Sequence, residues 1–285
     1  MSNTTVENVY TRQRAKELTN GHFWPLLGMF LVATGIPYLL TTAVTALLAQ
    51  TNSQVVTGVG GFLLTLVTTL ISSGLMLGMV TAMLGLCRGA SGCTVSSVFS
   101  RMGDCFKAFG LSLWVSLKIL LWALPVYAVC FIGALILFPS GKAGDIPLEA
   151  AQFILAILPF LVLIIVIALV IPAALRYALS SYILAERPET SVFDCVRKSK
   201  ALMAGHKWQM VRLVLPLYLV MLVVVIVVAV IFGTVITLLG LSASSTVVSL
   251  LMTLVLYCAM AYYSVRLQLC SVLFYLKRVG DKEAV

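Results

Sequence analysis

The sequence predicts an all-α integral membrane protein with six transmembrane helices and two cytoplasmic amphipathic helices between them. Three observations carry this. Of the 285 residues, 61% are hydrophobic and only 10% are charged, against about 45–50% and about 25% in soluble domains. The mean hydropathy is +1.09. The apolar residues are gathered into runs longer than the roughly 20 residues that cross a bilayer, and no charged residue occurs between Glu17 and Arg88. This composition excludes a water-soluble domain and a disordered chain.

Residues 1–21 are polar and carry Arg12, Arg14 and Lys16. They read as a cytoplasmic N-terminal segment and not as a signal peptide, because the apolar run that follows is too long for an h-region. Residues 22–278 form a single membrane domain and 279–285 a cytoplasmic tail. The spans are His22–Ala49, Gly58–Leu86, Gly110–Phe138, Ala151–Tyr182, Trp208–Leu239 and Thr246–Tyr275. The polar stretch Gln50–Gln54 separates the first two. Several exceed 20 residues and are expected to tilt, kink or extend past the hydrocarbon. Pro37, Pro125, Pro159, Pro172 and Pro216 fall within spans, where each removes a backbone donor and bends its helix.

Orientation follows from the basic loops. Residues 1–22 hold three Lys/Arg, 87–109 three, 183–207 five and the stretch after Tyr275 three, whereas the other side has Lys142 against Asp145 and Glu149. Both termini are therefore expected in the cytoplasm. The formal charge of +9 points to anionic lipid at the inner leaflet and not to nucleic acid.

The two large basic loops share a pattern. Val95, Val98, Phe99, Met102, Cys105, Phe106 and Phe109 recur at helical spacing and predict an amphipathic helix on the membrane surface or on the bundle. In the second loop Ser191 and Asp194 form an S-x-x-D capping box, Val192, Phe193, Val196 and Met203 make an apolar stripe, and Gly205 is the expected stop. A shift of 94 residues places Ser97-Val98-Phe99 on Ser191-Val192-Phe193, Trp114 on Trp208 and Lys118 on Arg212. This is a candidate parallel repeat. The alternative is that any two helix–loop–helix units of this kind converge on such a pattern.

The segment Arg176–Trp208 holds Arg176-Tyr177, Tyr182-Ile183-Leu184-Ala185 with Pro188, and Ser199-Lys200-Ala201-Leu202-Met203-Ala204-Gly205-His206-Lys207 before a span. It resembles the bacterial multipass family catalogued as domain of unknown function 975. Ala15-Lys16-Glu17-Leu18 ahead of an aromatic helix entry is similar to that family too. The family is in turn distantly similar to the membrane domain of glycerophosphodiester phosphodiesterases, but the catalytic half of those enzymes is absent here. The resemblance implies a bacterial plasma-membrane location and no established activity.

Lys118, Arg176, Arg212 and Arg266 lie in the spans, and no Asp or Glu does. Counting at 1.5 Å per residue puts Arg176 roughly 10 Å and Arg266 roughly 15 Å inside the cytoplasmic boundary. Cations at such depth normally face an interior or a cavity. One reading is a basic site open to the inner leaflet that binds an anionic lipid head group or another anion. The other is separate snorkelling of four long side chains. Trp24, Trp114, His206, Lys207 and Trp208 read as interfacial anchors.

Catalytic signals are missing from the sequence. His22 and His206 are the only histidines, and neither has an acidic partner nearby in sequence, so a Ser-His-Asp system is unsupported. Cys87, Cys93, Cys105, Cys130, Cys195, Cys258 and Cys270 show no C-x-x-C pair; no metal and no cofactor is expected. Phe138-Pro139-Ser140-Gly141-Lys142 shares Pro-Ser-Gly with an element of lipid phosphatases but lacks its histidine, and reads as a turn. The sequon Asn3-Thr4-Thr5 falls on the cytoplasmic side and is inert there. Gly74 and Gly78 form G-x-x-x-G, either a dimer face or a packing contact within one bundle. The expected function is non-catalytic binding of anionic lipid or a partner at the inner leaflet, with a transporter as the alternative. A homo-oligomer or a membrane-protein partner stays open.

Overall fold

A computed structural model describes residues 3–48, 54–90, 94–137, 160, 162–164, 166–238 and 246–283. Among these residues there is no strand. In chain order the elements are α1 (Asn3–Gly21), α2 (Phe23–Leu48), α3 (Gln54–Cys87), a 3₁₀-helix (Val95–Asp104), α4 (Cys105–Leu137), a π-turn (Val166–Val170), α5 (Ile171–Tyr177), α6 (Ser180–Glu186), α7 (Val192–Leu202), α8 (Lys207–Leu238) and α9 (Thr246–Glu283). Five helices among the described residues are long and apolar enough to cross a membrane: Phe23–Leu48, Gly58–Cys87, Val95–Ile132, Val162–Glu186 and Lys207–Thr237. The expected sixth span falls on α9, which is not among those five. Residues 50–53, Cys93, the Pro-Ser-Gly turn, Lys142, Asp145, Glu149, the start of the fourth span with Pro159, and Leu239 lie outside the described residues.

The chain divides into two compact units, one of Met1–Phe109, Ser181–Thr190 and Trp208–Val285, the other of Gly110–Ser180 and Ser191–Lys207. In the first unit the N-terminal segment is the helix α1. Its hydrogen bonding runs on into α2, with His22 N–H donating to the Leu18 carbonyl and Leu26 N–H to the His22 carbonyl. α1 lies antiparallel to α9: Glu7 pairs with Lys277 at 2.7 Å, and Tyr262 reaches Asn20 Oδ1 at 3.4 Å. Its inward face is small and polar, with Asn8, Ala15 and Thr19 buried. The buried Thr19 hydroxyl is satisfied by the Ala15 carbonyl four residues back.

The long helices of this unit each have a packed end and an outward-facing apolar end. α3 buries Leu75, Leu77, Met79, Val80, Met83, Leu84 and Leu86, yet exposes Val59, Phe62, Leu63, Leu66 and Val67. α2 buries Leu26, Met29, Phe30 and Ala33 and then exposes Ile36, Tyr38, Leu39 and Leu47. α9 buries Val265, Leu269, Cys270, Val272, Phe274 and Tyr275. It continues as helix to Glu283 and so takes in most of the expected tail. Apolar side chains that face outward along a span-length helix suit lipid. Those at the packed end suit a protein core.

The first basic loop enters this core as a 3₁₀-helix kinked at Arg101 (φ −112°, ψ 17°). The tighter period turns Val98 inward to full burial and leaves Phe99 exposed, and Phe106, in the first turn of α4, is exposed as well. Gly78 makes this possible: a Cβ there would collide with the backbone carbonyl of Val98, and one on Gly74 would press on Cys105 and Met102. The G-x-x-x-G pair therefore seats the loop within the unit.

In the second unit α7 starts as the capping residues predict. Asp194 N–H donates to Ser191 Oγ at 3.2 Å. The helix buries Cys195, Val196 and Ser199, with Met203 buried just beyond it, and the chain turns at Gly205 with φ +77°, a conformation glycine adopts without a steric penalty. Ser199 Oγ donates to the Arg176 carbonyl at 2.9 Å and ties α7 to α5. The two loops aligned by the 94-residue shift thus differ in form, one 3₁₀ and one α, and belong to different units.

Candidate functional site

α6 carries the Tyr-Ile-Leu-Ala-x-x-Pro stretch. Tyr182, Ile183, Leu184 and Ala185 are all buried in the first unit. Glu186 at the helix end accepts hydrogen bonds from Arg88, just after α3, and from the Tyr275 hydroxyl of α9. The Tyr275 ring stacks on Tyr182 with centroids 5.9 Å apart, and Lys107 Nζ donates to the Pro188 carbonyl at 3.1 Å. One carboxylate thus joins three helices. Charge-assisted bonds of this kind are about twice as strong as neutral ones. None of Arg88, Glu186 or Tyr275 stands out in sequence as a pair; the signal lies in the motif itself, whose glutamate is followed by Arg187-Pro188.

A second polar cluster holds α1. Glu7 pairs with Lys277 and accepts from Gln209 Nε2 at 3.0 Å, while Gln209 Oε1 accepts from Arg278. Asn8 Nδ2 reaches the Gln209 carbonyl at 3.4 Å. Gln209 is buried, so its amide needs these partners. The hydrogen bond and charge of Lys277, helped by Gln209 and Arg278, hold the Glu7 carboxyl below its ordinary value of 4.5 despite partial burial. A lowered carboxylate contributes stability above its unfolded pKa and loses it as pH falls through the folded value. Hydrogen exchange of the α1 amides is therefore expected to quicken as pH drops below the usual carboxylate range, after correction for intrinsic rates. Glu7→Gln should flatten that dependence; an unchanged pH profile in the variant would show that α1 is held by something else.

The four cations of the spans have different surroundings. In the second unit Lys118 Nζ sits 4.9 Å above the Trp114 ring, which packs edge-on against Phe193 at 4.8 Å. The Arg176 guanidinium sits 4.8 Å above the Trp122 ring. Trp114, Lys118 and Trp122 follow each other at i, i+4 and i+8 along one face of α4. Each cation is thus held over an indole, an attraction of about 0.5–2 kcal/mol according to desolvation. In the first unit Arg212 lies one turn beyond Gln209 and is exposed, and Arg266 is partly buried with its Nε enclosed. Among the described residues, Arg266 Nε has no hydrogen-bond partner, and none of the four cations is paired with a carboxylate.

Among the expected anchors, Trp24 and Trp208 are exposed, while Trp114 is engaged with Phe193 and Lys118. Phe23, Trp24, Tyr262 and Tyr263 form an aromatic cluster in which successive rings lie 5.2–6.2 Å apart. His206 N–H donates to the Met203 carbonyl in the turn before Lys207 and α8. Burial pushes the Cys195 thiol up, which suppresses the reactive thiolate. Among the described residues no group of His, Cys, Asp and Glu is arranged to hold a metal ion.

Five apolar helices of spanning length, with no strand among the described residues, define a helical protein of membrane type. The chain belongs to the family described as Protein of unknown function (DUF975), whose model matches residues 7–277. The similarity to the membrane domain of glycerophosphodiester phosphodiesterases is not part of that match. No curated protein and no solved structure matches the chain.

Proposed function

We propose that the chain is a non-catalytic protein of the bacterial plasma membrane that binds anionic lipid head groups at the inner leaflet. In this reading it has six spans, α9 supplying the last, and both termini in the cytoplasm. The observation that carries the proposal is the placement of Lys118 and Arg176 over indole rings with no carboxylate paired to either among the described residues. A cation neutralised by a carboxylate has little charge left for a ligand. One stacked on an indole is oriented and keeps its full charge, so a phosphate can still bind it. The excess of Lys and Arg in the basic loops supports the orientation. A second reading, a transporter, is favoured by the π-turn Val166–Val170 directly before Pro172, since such irregular turns let a helix bend.

Native mass spectrometry of the purified protein tests the first reading. Wild type is expected to retain phosphatidylglycerol or cardiolipin through mild activation. A variant with Lys118, Arg176, Arg212 and Arg266 all changed to Gln is expected to release it. Equal retention by the two proteins would leave the cations as snorkelling anchors and turn attention to solute flux in proteoliposomes.

A further inference from the structure

We infer a specific binding site for one anionic phospholipid at the seam of α1, α2 and α9, with its phosphate on Arg266 and an acyl chain against the crevice beside Tyr262. The inference rests on the lipid-binding reading above and assigns it a place that sequence spacing alone puts in the hydrocarbon.

The depth of Arg266 comes from its neighbours. Between Tyr262 and Lys277, α9 runs beside α1, tied at both ends by the Asn20 and Glu7 contacts. This stretch is about 22 Å long at 1.5 Å per residue. The outer face of α1 exposes Gln13, Arg14, Lys16, Glu17 and Asn20, and such a face cannot lie in hydrocarbon, where each charge would cost several kcal/mol. The C-terminal half of α9 is therefore outside the bilayer core. The aromatic cluster Phe23–Trp24–Tyr262–Tyr263 stands at the lower end of α1, with Trp24 77% exposed. Aromatic rings of this kind settle at the head-group level. From Trp24 to Leu48 α2 measures about 37 Å, and from Tyr262 back to Thr246 α9 measures about 25 Å, which bracket the hydrocarbon thickness of about 30 Å. Arg266 lies one turn past Tyr262, at the depth of lipid phosphates.

The local chemistry fits that ligand. Tyr262, Val265 and Arg266 share a face of α9 at i, i+3 and i+4. Tyr262 and Val265 line a shallow crevice with Thr19, Phe23, Leu26 and Leu27, a mostly apolar wall. Immediately beyond that wall come two enclosed nitrogens without partners among the described residues, Arg266 Nε and His22 Nδ1. Buried donors are normally satisfied, and a guanidinium presents a donor fork that matches a phosphate. A guanidinium above an apolar wall matches an anionic head group above an acyl chain.

The test compares wild type, Arg266→Gln, Arg266→Lys and the double variant Lys118→Gln/Arg176→Gln in native mass spectrometry. The probes are phosphatidylglycerol, phosphatidylcholine and inorganic phosphate, and circular dichroism confirms helix content in each variant. Wild type should retain two phosphatidylglycerol molecules, one at Lys118 and Arg176 and one at Arg266. The double variant should keep only the second. Arg266→Gln should weaken retention of that second molecule at least tenfold, and Arg266→Lys less. Phosphatidylcholine and inorganic phosphate should bind weakly to all; phosphate binding as tight as lipid would overturn the lipid assignment in favour of a free-anion site. Loss in the double variant but not in Arg266→Gln would sink this site and leave the lipid-binding reading standing. Retention by all variants and by the fourfold Gln protein would sink both.

Discussion

Gly78→Ala is expected to destabilise the protein by about 3 kcal/mol, the upper part of the range for overpacking a filled core. The added Cβ would meet the carbonyl oxygen, carbonyl carbon and Cα of Val98. These are backbone atoms, so no side-chain rotamer change can relieve the contact. The 3₁₀-helix must lift from α3, and fully buried Val98 must leave its place with it. Gly61→Ala, in the same helix, supplies the control, because a Cβ at that position would have nothing within 4 Å. That change removes only the entropic disadvantage of glycine and should stabilise by about 0.5–1 kcal/mol. The readout is the midpoint of SDS-induced loss of far-ultraviolet dichroism in detergent. Equal midpoints for the two variants would mean that the 3₁₀ segment does not pack on Gly78 in solution.

The same contact shows what sequence patterning can carry. Long apolar runs declare helices of span length, and the capping box at Ser191 and the stop at Gly205 name the limits of α7 because cap chemistry is local. The apolar stripe of the first loop is legible too, but its helix type is not. Spacing at 95, 98, 102 and 105 suits an α-helix, and only the close approach to Gly74 and Gly78 selects the 3₁₀ turn. α1 is invisible as a packed helix because its buried face consists of Asn8, Ala15 and Thr19, which carry no apolar period. The far end of α9 reads as span for the opposite reason. Val265, Leu269, Val272 and Phe274 are apolar, and a residue buried by protein reads the same as one buried by lipid. The four span cations declare themselves by their type. The ring partners of Lys118 and Arg176 do not, since an indole, whether four residues away as Trp114 is from Lys118 or on another helix as Trp122 is from Arg176, is silent in a charge count. Glu186 escapes notice because its partners, Arg88 and Tyr275, are 98 and 89 residues distant.

Glu186→Ala is expected to cost about 3 kcal/mol, and the cost should come mainly from Tyr275, whose buried hydroxyl would be left without its acceptor. The argument rests on what each partner is left with. Arg88 is half exposed, at 51% of its side chain, whereas the Glu186 side chain is only 15% exposed. Without Glu186 the Arg88 guanidinium returns to water, so its share is that of a surface pair, at most about 1 kcal/mol. Tyr275 is buried against Tyr182. Its hydroxyl would lose its acceptor where water does not reach, a penalty of about 1–3 kcal/mol. Two single changes separate these contributions. Arg88→Ala should lower stability by about 1 kcal/mol, with the Glu186 carboxylate still held by Tyr275. Tyr275→Phe keeps the ring stack and removes only the hydroxyl, but it leaves the poorly exposed carboxylate with Arg88 alone and should cost about 2 kcal/mol. In the Glu186→Ala background Tyr275→Phe should become neutral or stabilising, because it then deletes an unsatisfied donor. Double-mutant cycles in SDS denaturation measure this directly. A coupling larger for Arg88–Glu186 than for Tyr275–Glu186 would reverse the assignment and make the ion pair, not the buried phenol, the bond that holds α6 to its neighbours.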